Sequence, residues 1–244
     1  MAQRGKNEQN MNEENEHQNT EATGIIEDNQ TYRTTLEIEA HLYPIITVLI
    51  FGHSFIRRLA EYAIRTFGIY HNLGLDYNIA NVHFHGIGGL TAERARYEDL
   101  HTIARYRPDL IYIELGSNDL CNVNNRPETV GNTIYEFIND LLGLNTNLQG
   151  IVVGETIFRE GRGIPRRIPN YNNNVILLNQ YNRVVLNSEN IPRTSVWRHR
   201  GLWNSRLATL NRDGVHLNEL GMYRHYRSIR GAIIHAIRRI RRSQ

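Results

Sequence analysis

One pattern constrains this chain more than any other: short apolar, β-branched runs alternate with segments of helical spacing. Residues 45–51 form a continuous apolar run between Pro44 and Gly52, which suits a strand buried on both faces. Residues 54–67 follow with Phe55, Leu59, Ala63 and Phe67 at helical intervals. The same reading predicts strands over 77–84, 109–115, 150–158 and 195–198. It predicts helices over 91–106, 127–142, 174–186 and 218–240. Thr91 and Glu93 suit the first turn of the second helix, and Pro127 falls where a helix tolerates proline. Strands separated by helices imply an α/β fold, a five-stranded parallel sheet covered on both faces. Ligands of such sheets sit outside the carboxyl ends of the strands.

The first 30 residues are different. They are rich in Asn, Gln and Glu and carry two basic against seven acidic side chains, a net of −5. Such a segment buries too little apolar surface to offset its ordering entropy. Residues 1–42 are therefore expected to form a disordered acidic tail and transition, and residues 43–244 the domain. The total charge of +3 leaves +8 on the rest of the chain, and 27 of the 28 basic residues are arginine, Lys6 being the exception. The lone cysteine, Cys121, excludes a disulfide framework. There is no apolar stretch of spanning length and no signal-peptide core at the N-terminus, so a cytoplasmic or nuclear setting is expected.

Four short motifs fall at the strand ends. Gly52-His53-Ser54-Phe55 puts a serine at a helix start, as a cap or as a nucleophile beside free backbone N–H groups. Gly86-Ile87-Gly88-Gly89-Leu90-Thr91 lets the backbone approach a substrate closely. Gly116-Ser117-Asn118-Asp119 is a turn sequence that offers the Asn118 amide as a donor. Asp213-Gly214-Val215-His216 supplies a carboxylate and an imidazole, the pairing that orients a general base toward a serine.

Each motif alone is bland; the four together, in this order, resemble the blocks of the SGNH hydrolases, the GDSL-type lipase and esterase superfamily. The resemblance spans about residues 43–240. It implies a flavodoxin-like three-layer α/β/α sandwich and a serine esterase that works through an acyl-enzyme without metal or organic cofactor. It further implies Ser54 as nucleophile, His216 as base and Asp213 as its partner. The oxyanion donors would be the Ser54 and Gly89 backbone N–H groups and the Asn118 side chain, with Gly88 as the alternative glycine. The family usually has Asp where this chain has His53, which changes the charge beside the nucleophile without removing a triad member.

Arginines raise a second question. Arg57 and Arg58 lie one turn past Ser54, and Arg159, Arg162, Arg166 and Arg167 crowd the loop after the fourth strand. They form either a solvated loop or a site for an anionic substrate or nucleic-acid phosphate. Arg238, Arg239, Arg241 and Arg242 end the last helix, where they either complement its dipole or bind nucleic acid. Trp197-Arg198-His199-Arg200-Gly201 and the arginine-rich end are also similar to esterase-like domains carried by animal transposable elements. That resemblance implies a nucleic-acid-binding or assembly module with secondary hydrolysis. The expected partners are thus a small ester and, through the last helix, a nucleic acid; oligomeric state is not legible.

Overall fold

The computed structural model describes residues 43–68, 71–186, 191, 193–202 and 208–244. The acidic segment 1–42 lies outside the described residues.

Five strands form one parallel sheet: β1 (Ile46–Gly52), β2 (Ala80–Gly86), β3 (Leu110–Glu114), β4 (Gly150–Gly154) and β5 (Thr194–Trp197). Their order is β2-β1-β3-β4-β5. The chain therefore steps outward from β1 to β2 and then crosses to β3 on the other side of β1. This reversal opens a crevice beyond the carboxyl ends of β1 and β3, the switch point of a doubly wound sheet. The helices are α1 (Ser54–Phe67), α2 (Ala92–Arg94), α3 (Leu100–Arg105), α4 (Pro127–Leu144), α5 (Tyr171–Leu186) and α6 (Glu219–Arg242).

Strand side chains alternate between faces. Leu49, Phe51, Ile111, Ile113, Ile151 and Val153 share one buried cluster with Leu90, Ala95, Ile134, Phe137, Val175 and Leu178, from the α2–α5 side. Val48, Ile50, Leu110, Tyr112 and Val152 are buried on the opposite face, covered by α1 and α6. β3 and β4 are buried at every residue, which is why they read as unbroken apolar runs. The edge strand β2 is only partly buried.

Several element boundaries differ from the sequence reading for identifiable reasons. The strand expected over 77–84 begins at Ala80, because Asp76 turns the chain first: its side chain accepts from the Asn78 N–H and its carbonyl from Ile79 and Ala80. The strand expected over 150–158 ends at Gly154, opposite Trp197, where its ladder partner stops. The helix expected over 91–106 is capped by Thr91 as foreseen but is interrupted by a π turn over Ala95–Asp99. α5 starts three residues earlier than 174, and α6 runs from its Asn218 cap to Arg242.

A buried polar chain ties α6 to the sheet. Trp197 Nε1–H donates to Ser228 Oγ (3.0 Å), which lies 3.0 Å from His199 Nδ1. His199 Nε2 lies 2.9 Å from the Tyr112 hydroxyl, which donates to Glu114 Oε2 (3.2 Å). His225 Nε2 meets the same carboxylate oxygen at 2.8 Å. Because Tyr112 donates to Glu114, its oxygen accepts from His199, which places the His199 proton on Nε2 and leaves Nδ1 to accept from Ser228. Burial and then the neighbouring His225 hold His199 down at about 3. Burial alone would push the Glu114 carboxyl up, but the charge and hydrogen bond of His225, aided by His199 and His53, hold it at about 2.

These groups give the domain a definite acid response. His199 at about 3 and His53 at about 4, the latter lowered chiefly by burial, both lie below their ordinary 6.5. Below ~6.5 the unfolded chain binds protons that the fold refuses, so stability falls until those folded values are passed. Glu114 acts in the same direction between about 4.5 and about 2. Stability read from urea unfolding should fall between pH 7 and pH 5 by roughly 2–4 kcal/mol, lowering the midpoint, since each displaced histidine contributes about 1.4 kcal/mol per pH unit. Equal midpoints would show that both imidazoles titrate freely in the fold.

Candidate active site

Ser54 is the first residue of α1, directly past the end of β1. His53 caps that helix, its Nδ1 accepting from the Phe55 N–H at 3.3 Å. The cap leaves the Ser54 backbone N–H, one of the orphan donors of a helix start, with no protein acceptor among the described residues. His53 is buried and remains neutral above about pH 4. It stands where the family's usual aspartate would, as a capping and hydrogen-bonding side chain.

The loop before α6 brings the other two residues in. His216 Nε2 lies 3.4 Å from Ser54 Oγ, 162 residues away in sequence. That is the outer edge of hydrogen-bond reach, as is common in free enzymes before substrate tightens the contact. On its far side His216 Nδ1 is 2.8 Å from Asp213 Oδ2. The other Asp213 oxygen accepts the backbone N–H groups of Val215 (2.8 Å) and His216 (2.9 Å). Partial burial would raise this carboxyl, but these hydrogen bonds outweigh it and hold it at about 2, so Asp213 is ionised throughout the neutral range. An ionised Asp213 on Nδ1 keeps the His216 proton there and presents a bare Nε2 to the serine.

Gly214 makes this loop possible. Its φ is +69°, and a Cβ there would lie 1.8 Å from the Glu160 carbonyl oxygen. The loop after β4 packs against it, with Glu160 N–H donating to the Gly214 carbonyl at 2.8 Å. The sequence reading took that β4 loop for either a solvated segment or an anion site; its backbone also braces the Asp213–His216 segment.

Asn118 and Gly89 face Ser54 across one cavity of about 350 Å³. Its walls include His53, Ser54, Arg57, Arg58, Gly88, Gly89, Ser117, Asn118, Arg159 and His216. Asn118 Nδ2 donates to the Leu90 carbonyl at 2.9 Å, which fixes the amide and leaves its second N–H for the cavity. Gly89 has φ +72°, a conformation open to glycine at little cost, and its N–H meets no acceptor among the described residues. Asp119 joins the two loops by accepting the Ala92 N–H at 2.9 Å. Ser54, Gly88, Gly89, Asn118 and His216 thus line one cavity, and Asp213 stands behind His216. A larger cavity, about 630 Å³, lies at the opposite edge of the sheet between Asp109, Gly150 and Ile240; it contains no histidine and no nucleophile–base pair.

The arginines separate into two groups. Arg162, Arg166 and Arg167 are exposed, whereas Arg159 is buried in the cavity wall. At the end of α6, Arg239 and Arg242 are exposed, Arg238 is half-buried and Arg241 is buried, so the four do not form a continuous exposed patch.

Residues 51–224 match the GDSL-like Lipase/Acylhydrolase family. The chain belongs to that family. No curated protein matches it in sequence. Among solved structures it is similar to a GDSL-like lipase from Bacteroides thetaiotaomicron (TM-score 0.62, 16% identity, covering 84% of this chain and 98% of that one). It is also similar to an acetyl esterase crystallised with acetate (0.58, 16%, 80% and 100%). A carbohydrate esterase family 3 member from Talaromyces cellulolyticus gives 0.57 at 15% identity, covering 80% and 99%. At such identities these likenesses establish the fold. The family hydrolyses esters, and no described helix is long and apolar enough to cross a membrane.

Gly214→Ala tests the brace. The substitution forces a strained φ and a clash with Glu160, which should pull His216 away from Ser54. Hydrolysis of p-nitrophenyl acetate should fall at least about tenfold, as misplacement by an ångström typically costs that or more. Thermal melting by circular dichroism should show the rest of the domain still folded. An unchanged rate would show that the loop relaxes without moving the imidazole.

Proposed function

We propose that the protein is a serine esterase acting on short acyl esters through an acyl-enzyme on Ser54. The observation that carries this reading is the continuous line from Asp213 through His216 to Ser54 Oγ, opening into a cavity rimmed by unspent N–H donors. In this reading Ser54 Oγ attacks the ester carbonyl as His216 Nε2 takes its proton. The tetrahedral oxyanion is received by the Ser54 and Gly89 backbone N–H groups and the free Asn118 N–H. Collapse breaks the bond to the alcohol, which leaves with the proton held on His216. A water, deprotonated by the same imidazole, then attacks the acyl-serine, and Ser54 departs with the proton returned. Asp213 stays ionised and stabilises the imidazolium in both halves. The residues supply nucleophile, base and oxyanion donors themselves, so the scheme routes no step through a cofactor.

A small acyl group fits the cavity's size, and the acetyl esterase and carbohydrate esterase among the similar structures make acetyl esters the first choice of substrate. Ser54→Ala should abolish hydrolysis of p-nitrophenyl acetate, and a fluorophosphonate should label Ser54 alone, read by peptide mass spectrometry. Labelling at another residue, or turnover retained in the variant, would overturn the nucleophile.

Asn118→Ala should lower kcat by about 100- to 1,000-fold with little change in KM, because the donor is aimed at charge that exists only in the transition state. Steady-state kinetics on p-nitrophenyl acetate checks this. A change confined to KM would place Asn118 in ground-state binding instead.

A further inference from the structure

The wall of the cavity beside Ser54 carries three guanidinium groups, Arg57, Arg58 and Arg159, and no Asp or Glu. Arg57 is exposed and has Glu61 at 3.6 Å on its own helix. Arg159 is different. It is 8% exposed, its Nη1 donates to Cys121 Sγ at 2.9 Å, and its Nη2 donates to the Ser117 carbonyl (3.2 Å) and hydroxyl (3.0 Å). Its guanidinium lies 4.8 Å from the centre of the Tyr171 ring. Every one of these partners is neutral. No carboxylate pairs with Arg159 among the described residues, and its Nε is buried without a hydrogen-bond partner, as is that of Arg58.

Elsewhere in the domain several arginines do have acids: Arg94 has Glu98, Arg96 has Glu136 and Asp140, and Arg183 has the buried Glu155. A guanidinium cannot shed its proton as a buried lysine can. Burying it without a counter-charge therefore costs free energy that its neutral partners recover only in part. Both groups line the cavity, which Ser54 and Asn118 also line, so an anion in that cavity can reach them.

We infer that the cavity accepts anionic esters, in the simplest case esters carrying a carboxylate, with the negative charge held by Arg159 and Arg58 while Ser54 attacks the ester bond. The inference rests on the serine-esterase reading and narrows its substrate class. A guanidinium is the side chain best matched to a carboxylate, since its planar fork donates in parallel. The enclosed position of Arg159 shields the pair from salt and water, so the charge discriminates strongly. Neutral esters would leave the same guanidinium uncompensated.

Two matched pairs of esters test this on the full chain. p-Nitrophenyl hydrogen succinate against p-nitrophenyl butyrate places the charge on the acyl side. 4-Acetoxybenzoate against its methyl ester places it on the alcohol side. In at least one pair the anionic member should have the higher kcat/KM, by roughly 10- to 100-fold, the range for a hydrogen bond to a charged group. In Arg159→Met that ratio should collapse toward one; a residue that merely pinned the Ser117 loop would slow both members alike and leave the ratio intact. Should Arg159→Met fail to fold, the wild-type ratios decide by themselves, with Arg58→Gln as the second variant. Ratios near or below one in both pairs, with turnover present, would overturn the inference and leave the esterase standing. If none of the four esters turns over, the esterase reading fails instead. Calorimetric titration of monomethyl succinate against dimethyl succinate then decides the anion site: tighter binding of the monoanion supports it, and equal binding overturns it.

Discussion

Burial of a parallel sheet on both faces governs everything else in this domain. Every residue of β3 and β4 is buried, and all but one of β1. Such a sheet must be covered twice, so each crossover between strands becomes a helix on one face or the other. The order β2-β1-β3-β4-β5 then sends the connections after β1 and β3 to opposite faces. The loops after β1 and β3 converge in the gap between them. Ser54 and Asn118 lie there because they follow closely on β1 and β3, the two strands that flank the gap.

The same burial explains the polar chain beneath the site. β3 ends in Glu114, whose backbone carbonyl accepts the His53 N–H while its carboxylate meets His225 and Tyr112. A carboxylate buried to 1% exposure needs partners, and here they all meet Oε2, while Oε1 is buried without one among the described residues. Those partners are Tyr112 on β3 itself and His225 on α6, with His199 after β5 at 3.9 Å, so one charge couples the end of the central sheet to the helix that follows His216. The His216 imidazole is thus carried on a segment anchored on one side by this network and on the other by the contact of Gly214 with Glu160. Precision at the serine–histidine contact is a property of both anchors.

Much of this was legible from residues close together in the chain. The apolar runs and their helical intervals announced the sheet and its covering, because the side-chain period of each element is local. The four motifs were legible for the same reason: a serine after a glycine-ended strand, an amide in a turn and an Asp-x-x-His are short patterns whose backbone requirements travel with them. Element ends were read less well. Asp76 postponed β2 by a turn, and β4 stopped where β5 stopped, which no window centred on β4 contains.

The arginines mark the limit. By itself the sequence determined that Arg159 follows the fourth strand in a loop with three other arginines, and that four more close the last helix. It determined also the order and spacing of Ser54, Asn118, Asp213 and His216. Only the tertiary structure decided that Arg159 turns inward against Ser117 while Arg162, Arg166 and Arg167 face solvent, and that Arg241 is buried between exposed neighbours. It alone joined Glu114 to His225, 111 residues apart, and Ser54 to His216, 162 apart. The reason is physical: a period or a cap is set by neighbours along the chain, whereas the burial of a charge depends on which distant surfaces close over it.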